Sequence, residues 1–173
     1  MAHFRHSAQM MLVDVVLDPN LAETYPFSTE LRPIMPYLAI TLDAESQARL
    51  HPLAIYPIVR GDHVTLAYLD SSDMAVDELN PAWLYGYGVG DRVNLRAVGW
   101  VANGRVQAVQ VEIQASSPSG PGSSVRAWDG GVLHITLSRQ PEVKSVESNA
   151  LLAIRSVGSP LDLALSGTVT WQL

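Results

Sequence analysis

The sequence predicts an α+β fold built on antiparallel sheet. Three observations carry this. About seven short segments have strand-like composition and alternation, against only three short helical patterns. Two alternating runs, Val93 to Val101 and Val106 to Ile113, are separated by Asn103-Gly104, the residue pair that suits a tight hairpin turn. No glycine-rich phosphate loop follows a strand, so a doubly wound nucleotide-binding fold has no support.

The elements follow in order. Residues 1–34 form an N-terminal extension in which only Met10 to Leu17 reads as a strand, and Pro19, Pro26 and Pro33 punctuate the rest. Tyr37 to Leu42 is strand-like, and Asp43 is placed to cap a short helix carrying Ala48 and Leu50, which Pro52 ends. His63 to Leu69 is the next strand. Ser71, Ser72 and Asp73 signal a short helix reaching Leu79, before a loop containing Pro81, Gly86, Gly88 and Gly90. In the hairpin that follows, Val93, Leu95 and Ala97 share one face, as do Val109, Val111 and Ile113. Ser116 to Ser124 lacks apolar residues and reads as a flexible loop. Val132 to Leu137 is a strand. Ser145 can cap a helix with a stripe of Val146, Ala150, Leu151 and Ile154. Leu161 to Leu165 and Thr168 to Leu173 read as two last strands joined through Ser166-Gly167.

Composition narrows the function. The chain of 173 residues is 47% hydrophobic and 16% charged, which suits one folded domain over 1–173. It has no cysteine, which excludes disulfides, thiolate metal sites and cysteine nucleophiles. A net charge of −6 argues against binding duplex DNA non-specifically, whereas a small anionic ligand or one strand end remains open. No apolar run reaches the roughly 18 residues that span a bilayer. Met10 to Leu17 is short and interrupted by Asp14, so it does not read as a signal peptide. A cytoplasmic monomer without membrane contact is expected.

Two segments repeat: His63-Val64-Thr65-Leu66 and His134-Ile135-Thr136-Leu137, 71 residues apart. Strand alternation turns each His and Thr to one side and the apolar pair to the other. The apolar pair anchors the strand, and the polar pair faces a cleft. Two such strands side by side would gather two imidazoles and two hydroxyls. Two histidines near pKa 6.5 can hold opposite protonation states at neutral pH. One can take a proton from an attacking water while the other protonates a leaving alkoxide, and the hydroxyls can hold non-bridging phosphate oxygens. No metal and no cofactor are required. With threonine at 7 of 173 positions, five histidines give about 0.2 His-x-Thr matches by chance, and two are present. The competing reading is two ordinary strand positions with satisfied side chains.

Paired H-Φ-T-Φ motifs, where Φ is apolar, resemble those of the 2H phosphoesterases. The resemblance covers residues 35–173, in the spacing of the motifs and the order of elements around them. His63 to Tyr68 and Pro141 to Leu151 (P-E-V-K-S-V-E-S-N-A-L) look most like the cyclic phosphodiesterase domain of fungal-type tRNA ligases and related RNA-repair proteins. The resemblance implies a bilobed fold, two antiparallel sheets with pseudo-twofold symmetry around a central cleft and helices outside. It implies His63, His134, Thr65 and Thr136 as catalytic residues. It also implies hydrolysis of a 2′,3′-cyclic phosphate, on an RNA 3′ end or a nucleotide, to a 2′-phosphate. Hydrolysis of cyclic oligonucleotide signals is an alternative within the class. A non-catalytic module that binds a phosphorylated nucleotide, and an interaction protein with fortuitous motifs, are alternatives outside it.

Other residues are weaker candidates. Lys144, Arg139 and Arg126 flank the second motif and could bring positive charge to a phosphate, Lys144 foremost because it lies in the resembling stretch. Trp128 could stack on a base or pack on the sheet edge. Strict alternation puts Tyr68 on the face opposite the His-Thr pair, in the core. His51 reads as structural. His3 and His6 lack a third metal ligand. Asp62 and Asp129 could each orient a histidine or end a loop.

Overall fold

The computed structural model describes residues 36–68, 84–114, 123–154 and 158–172. The expected strand at Met10 to Leu17 and helix at 71–79 lie outside these. The described elements are β1 (Tyr37–Leu42), α1 (Ala44–Leu50), a 3-10 turn (His51–Leu53), β2 (Ile58–Val59), β3 (His63–Tyr68), β4 (Arg92–Ala102), β5 (Val106–Ile113), β6 (His134–Arg139), α2 (Glu147–Ile154) and β7 (Ser159–Gln172).

The fold is α+β, and its strands form one seven-stranded sheet in the order β2-β6-β5-β4-β7-β1-β3. Every pairing between these strands is antiparallel. The two strands at the ends of that order, β2 and β3, are consecutive in the chain and only Arg60 to Asp62 separate them. Arg60 N–H donates to Leu137 O at 2.8 Å and Gly61 N–H to Thr136 O at 3.0 Å, so the corner leans on β6. Gly61 takes φ +78° there, a conformation that costs glycine little, and the chain passes from pairing with β6 to pairing with β1. This crossing brings the His63 strand beside the His134 strand, although they stand far apart in the sheet order.

One core is built from six strands and α1. It includes Leu38, Ile40, Val64, Leu66, Leu95, Val111, Ile135 and Leu137, with Leu50 from the helix. Their burial is the main driving force for closing the sheet. A second cluster of Val101, Val106, Ala108, Val143, Leu151 and Leu152 holds α2 against β4 and β5. Two buried polar residues fasten the segment before β2. Ser138 Oγ donates to Gln107 Oε1 at 2.7 Å, and Gln107 Oε1 accepts from Ile55 N–H at 3.1 Å.

Local signals account for much of this. Asp43 caps α1, accepting from Ser46 N–H at 2.8 Å. Asn103-Gly104 joins β4 to β5, with Gly104 at φ +86° and Asn103 Oδ1 accepting from the amides of Arg105 and Val106.

Three expectations need correction. Ser166-Gly167 is no turn, because β7 runs unbroken through it for 14 residues. Gly167 pairs with Leu42 and lies so close to β1 that a Cβ there would sit 2.4 Å from Thr41 O, so the glycine serves a tight strand contact. The buried face of α2 is Ser148, Leu151 and Leu152, whereas Val146 and Ile154 are exposed. The helix begins at Glu147, two residues beyond Ser145, and its buried face is set by Leu151 and Leu152 packing on Val101, Val106 and Ala108 of β4 and β5. The loop expected at 116–124 is partly ordered by pairing, since Ser123 bridges Ile113. Its residues 116–122 lie outside the description.

Candidate functional site

The two motifs meet at one recess of about 320 Å³, its open mouth included. His63, Thr65, His134 and Thr136 all line it. Val64, Leu66, Ile135 and Leu137 are buried in the core beneath. The local reason is strand alternation, and the long-range reason is the crossing that sets β3 beside β6.

Each motif also carries a β-bulge. In the pairing of β3 with β1, Thr65 faces Ala39 and Ala67 faces Leu38, so Leu66 is skipped. In the pairing of β6 with β5, Thr136 faces Ala108 and Ser138 faces Gln107, so Leu137 is skipped. An extra residue resets the alternation. Tyr68 therefore turns to the recess and lines it, against the expectation that it joins the core.

The two histidines differ in setting. His63 is half-buried, and its Nδ1 lies 3.1 Å from Asp62 Oδ1. The bond to His63 holds the Asp62 carboxyl below the usual carboxylate range. His134 is 8% exposed. Burial pushes its pKa below the ordinary 6.5, and the positive charges of Arg126 and His63 act in the same direction. Its Nδ1 lies 2.8 Å from Val132 O. A carbonyl only accepts, so Nδ1 carries the proton, and neutral His134 has its lone pair on Nε2.

Nε2 of His134 lies 2.9 Å from the hydroxyl of Ser148, which is 1% exposed in the first turn of α2. That hydroxyl also lies 2.7 Å from Ser145 O and 2.9 Å from Thr136 Oγ1. Ser148 thus links the imidazole and hydroxyl of the second motif. With one proton and three possible acceptors in reach, it can donate to Ser145 O and leave Nε2 open, or accept from Nε2–H once the ring is charged. Thr65 donates no hydrogen bond to a side chain among the described residues and leaves its hydroxyl to the recess.

The charged candidates sort differently from their order in sequence. Arg126 is 5% exposed and lines the recess, held by Asp129 through two 2.9 Å bonds and by Asn149 Oδ1 at 3.0 Å. Asp129 serves this arginine and not a histidine. A Cβ on Gly131 would come within 2.3 Å of the guanidinium, so the glycine leaves room for it. Arg139 turns away, and its Nη1 donates to the carbonyls of Gln140, Pro141 and Val143. It orders the loop leading to α2. Lys144 is exposed and does not line the recess. Trp128 is 40% exposed and packs edge-on against Tyr68 at 5.8 Å, beside the recess rather than within it. His51 Nε2 lies 2.9 Å from Arg60 O at the corner, a structural role.

Sequence reading missed Ser148, Ser145 and Asn149, which line the recess from the start of α2. The only local signal was their place in and just before the first turn of a helix following the second motif. No cluster of three His, Cys, Asp or Glu side chains fit to hold a metal ion occurs among the described residues, and none of the described helices is long and apolar enough to cross a membrane. Comparison with protein-family models and with curated proteins gives no match.

Proposed function

We propose that this chain is a metal-independent phosphodiesterase of the 2H type that hydrolyses a cyclic phosphodiester, such as a 2′,3′-cyclic phosphate on a nucleotide or RNA 3′ end. The observation that carries the reading is that both His-Thr pairs line one recess while their alternating partners fill the core. A fortuitous repeat has no reason to converge.

The histidine settings suggest the division of labour. Neutral His134 offers Nε2 as general base. Water attacks phosphorus as its proton passes to Nε2, and Nε2–H then donates to Ser148 Oγ. The phosphorus–oxygen bond to the leaving group breaks, and His63 gives its proton to that oxygen. Asp62 beside Nδ1 supplies the counter-charge while His63 is an imidazolium. The product is a phosphomonoester, and solvent returns both histidines to their starting states. Thr65, Thr136 and Arg126 face the non-bridging oxygens in this scheme. We read the fold in the same terms, as two pseudo-symmetric halves around a cleft: β1 and β3 carrying His63, β5 and β6 carrying His134, with the long β4 and β7 between.

The test is incubation with 2′,3′-cyclic nucleotides in EDTA, with products separated against 2′- and 3′-phosphate standards. Turnover that falls at least ~10²-fold in His63→Ala and in His134→Ala is expected. Folded protein that cleaves no cyclic phosphodiester, or cleaves only with added metal, sinks the proposal.

A further inference from the structure

The recess adjoins a second one of about 660 Å³, open mouth included. The two share His63, Tyr68, Thr136 and Ser145, and the second adds Tyr37, Arg60 and Asp62. A group in the second recess would therefore be within covalent reach of a phosphate in the first.

Its walls have a definite chemistry. The Tyr37 ring lies 5.4 Å from the His63 ring and 5.8 Å from the Tyr68 ring, and Tyr68 in turn touches Trp128 at 5.8 Å. Three aromatic side chains thus run in series past the motif histidine. Arg60 is exposed, and its guanidinium forms no hydrogen bond or ion pair with another described residue. Asp62 and Tyr37 feel its charge. Asp62 gives one oxygen to His63, and its carboxylate is an acceptor at the recess wall.

We propose that Tyr37, Tyr68 and Arg60 form a subsite for the nucleotide adjoining the one that carries the scissile phosphate, so that the preferred substrate is an oligonucleotide of at least two nucleotides. The inference rests on the phosphodiesterase reading. A base can lie against the aromatic rings, with an amino group toward Asp62. The guanidinium pairs with the next phosphate. A mononucleotide leaves this recess empty. The net charge of −6 suits a short oligonucleotide better than a long one, because one exposed arginine offsets few phosphates.

The experiment measures kcat/KM for a 2′,3′-cyclic mononucleotide, for a dinucleotide and a trinucleotide ending in a 2′,3′-cyclic phosphate, and for a cyclic dinucleotide and a cyclic trinucleotide. The full chain, Tyr37→Ala, Tyr37→Phe and Arg60→Ala are compared. The best oligonucleotide should exceed the mononucleotide by ~10- to 100-fold, the range that one stacked base provides. Tyr37→Ala and Arg60→Ala should bring that ratio toward one, and Tyr37→Phe should keep most of it. Because the readout is a ratio, general damage to folding or to His63 cancels. The linear or cyclic arm with the higher value names the source of the substrate. Turnover with a wild-type ratio within twofold of one, or a ratio unchanged in both alanine variants, overturns the subsite alone. Absence of turnover on every substrate overturns the phosphodiesterase reading and the subsite with it.

Discussion

Leu66 and Leu137 hold equivalent places: each directly follows a motif threonine, each is the extra residue of a β-bulge, and they lie 71 residues apart. Each is also fully buried. The bulge bends the strand just past its functional pair and turns the next side chains, and the leucine anchors the bend in the core. Leu66→Ala and Leu137→Ala should each cost about 2–5 kcal/mol, the usual range for such a cavity. Denaturant unfolding measures it. A loss under about 1 kcal/mol at both positions would show that the core does not depend on these anchors.

The histidine settings dictate the pH profile. The scheme needs His134 neutral, and burial holds its pKa below 6.5. The acid limb of kcat/KM should therefore bend below pH 6.5, and the need for a protonated general acid should give the profile an alkaline limb as well. Both apparent values belong to the pair. An acid limb centred above 6.5, or a flat profile from pH 5 to 9, contradicts the assignment. Stability has the same sign. Unfolded His134 binds a proton more readily than folded His134, so its contribution is flat above about pH 6.5, grows unfavourable as pH falls below 6.5, and levels off beneath the depressed folded value.

Ser148 acts through His134. Its hydroxyl accepts from Nε2–H when the ring is charged, and a bond to a charged ring is stronger than one to a neutral ring. Ser148→Ala leaves the buried imidazolium without that acceptor. The acid limb should move to lower pH and kcat should fall ~10-fold or more, with KM little changed. Ser148→Thr, which keeps the hydroxyl, should restore the limb if the extra methyl fits. An unshifted limb in Ser148→Ala would leave the serine with a packing role only.

Asp43 ties three parts of the fold together. Its carboxylate accepts from Ser46 N–H at 2.8 Å, from Ser166 Oγ at 2.6 Å and from Arg92 Nη2 at 3.0 Å. These bonds, that of Ser166 foremost, lower its pKa to about 2 from the ordinary 3.8. Because the folded value is the lower one, the contribution is complete above pH 3.8 and is lost as pH falls toward 2. Asp43→Ala should destabilise by about 1 kcal/mol at neutral pH, the usual cost of losing a helix cap. Thermal unfolding across pH 2–7 should show the two proteins converging at the acid end. Asp43→Asn should recover part of the loss, since its amide oxygen still accepts from Ser46. A difference independent of pH would assign the effect to something other than this carboxylate.

What the sequence by itself determined is what depends on neighbours a few residues apart. The alternation in His63 to Leu66 and His134 to Leu137 set which side chains enter the core, because successive strand residues point to opposite faces. The cap at Asp43 and the turn at Asn103-Gly104 followed from residue types whose backbone preferences are local. What only the tertiary structure decided depends on residues far apart in the chain. Tyr68 faces the recess because the pairing of β3 with β1 skips Leu66, and pairing register has no signature within one strand. Gly167 continues β7 because Thr41 O leaves no room for a side chain, a contact across more than half the chain. Arg126 rather than Lys144 or Arg139 reaches the recess, because Asp129 and Asn149 hold its guanidinium there. Ser148 meets His134 only after α2 docks through Leu151 and Leu152. Spacing in the sequence places side chains on a face, but closing the sheet through the β2–β3 corner decides which faces meet.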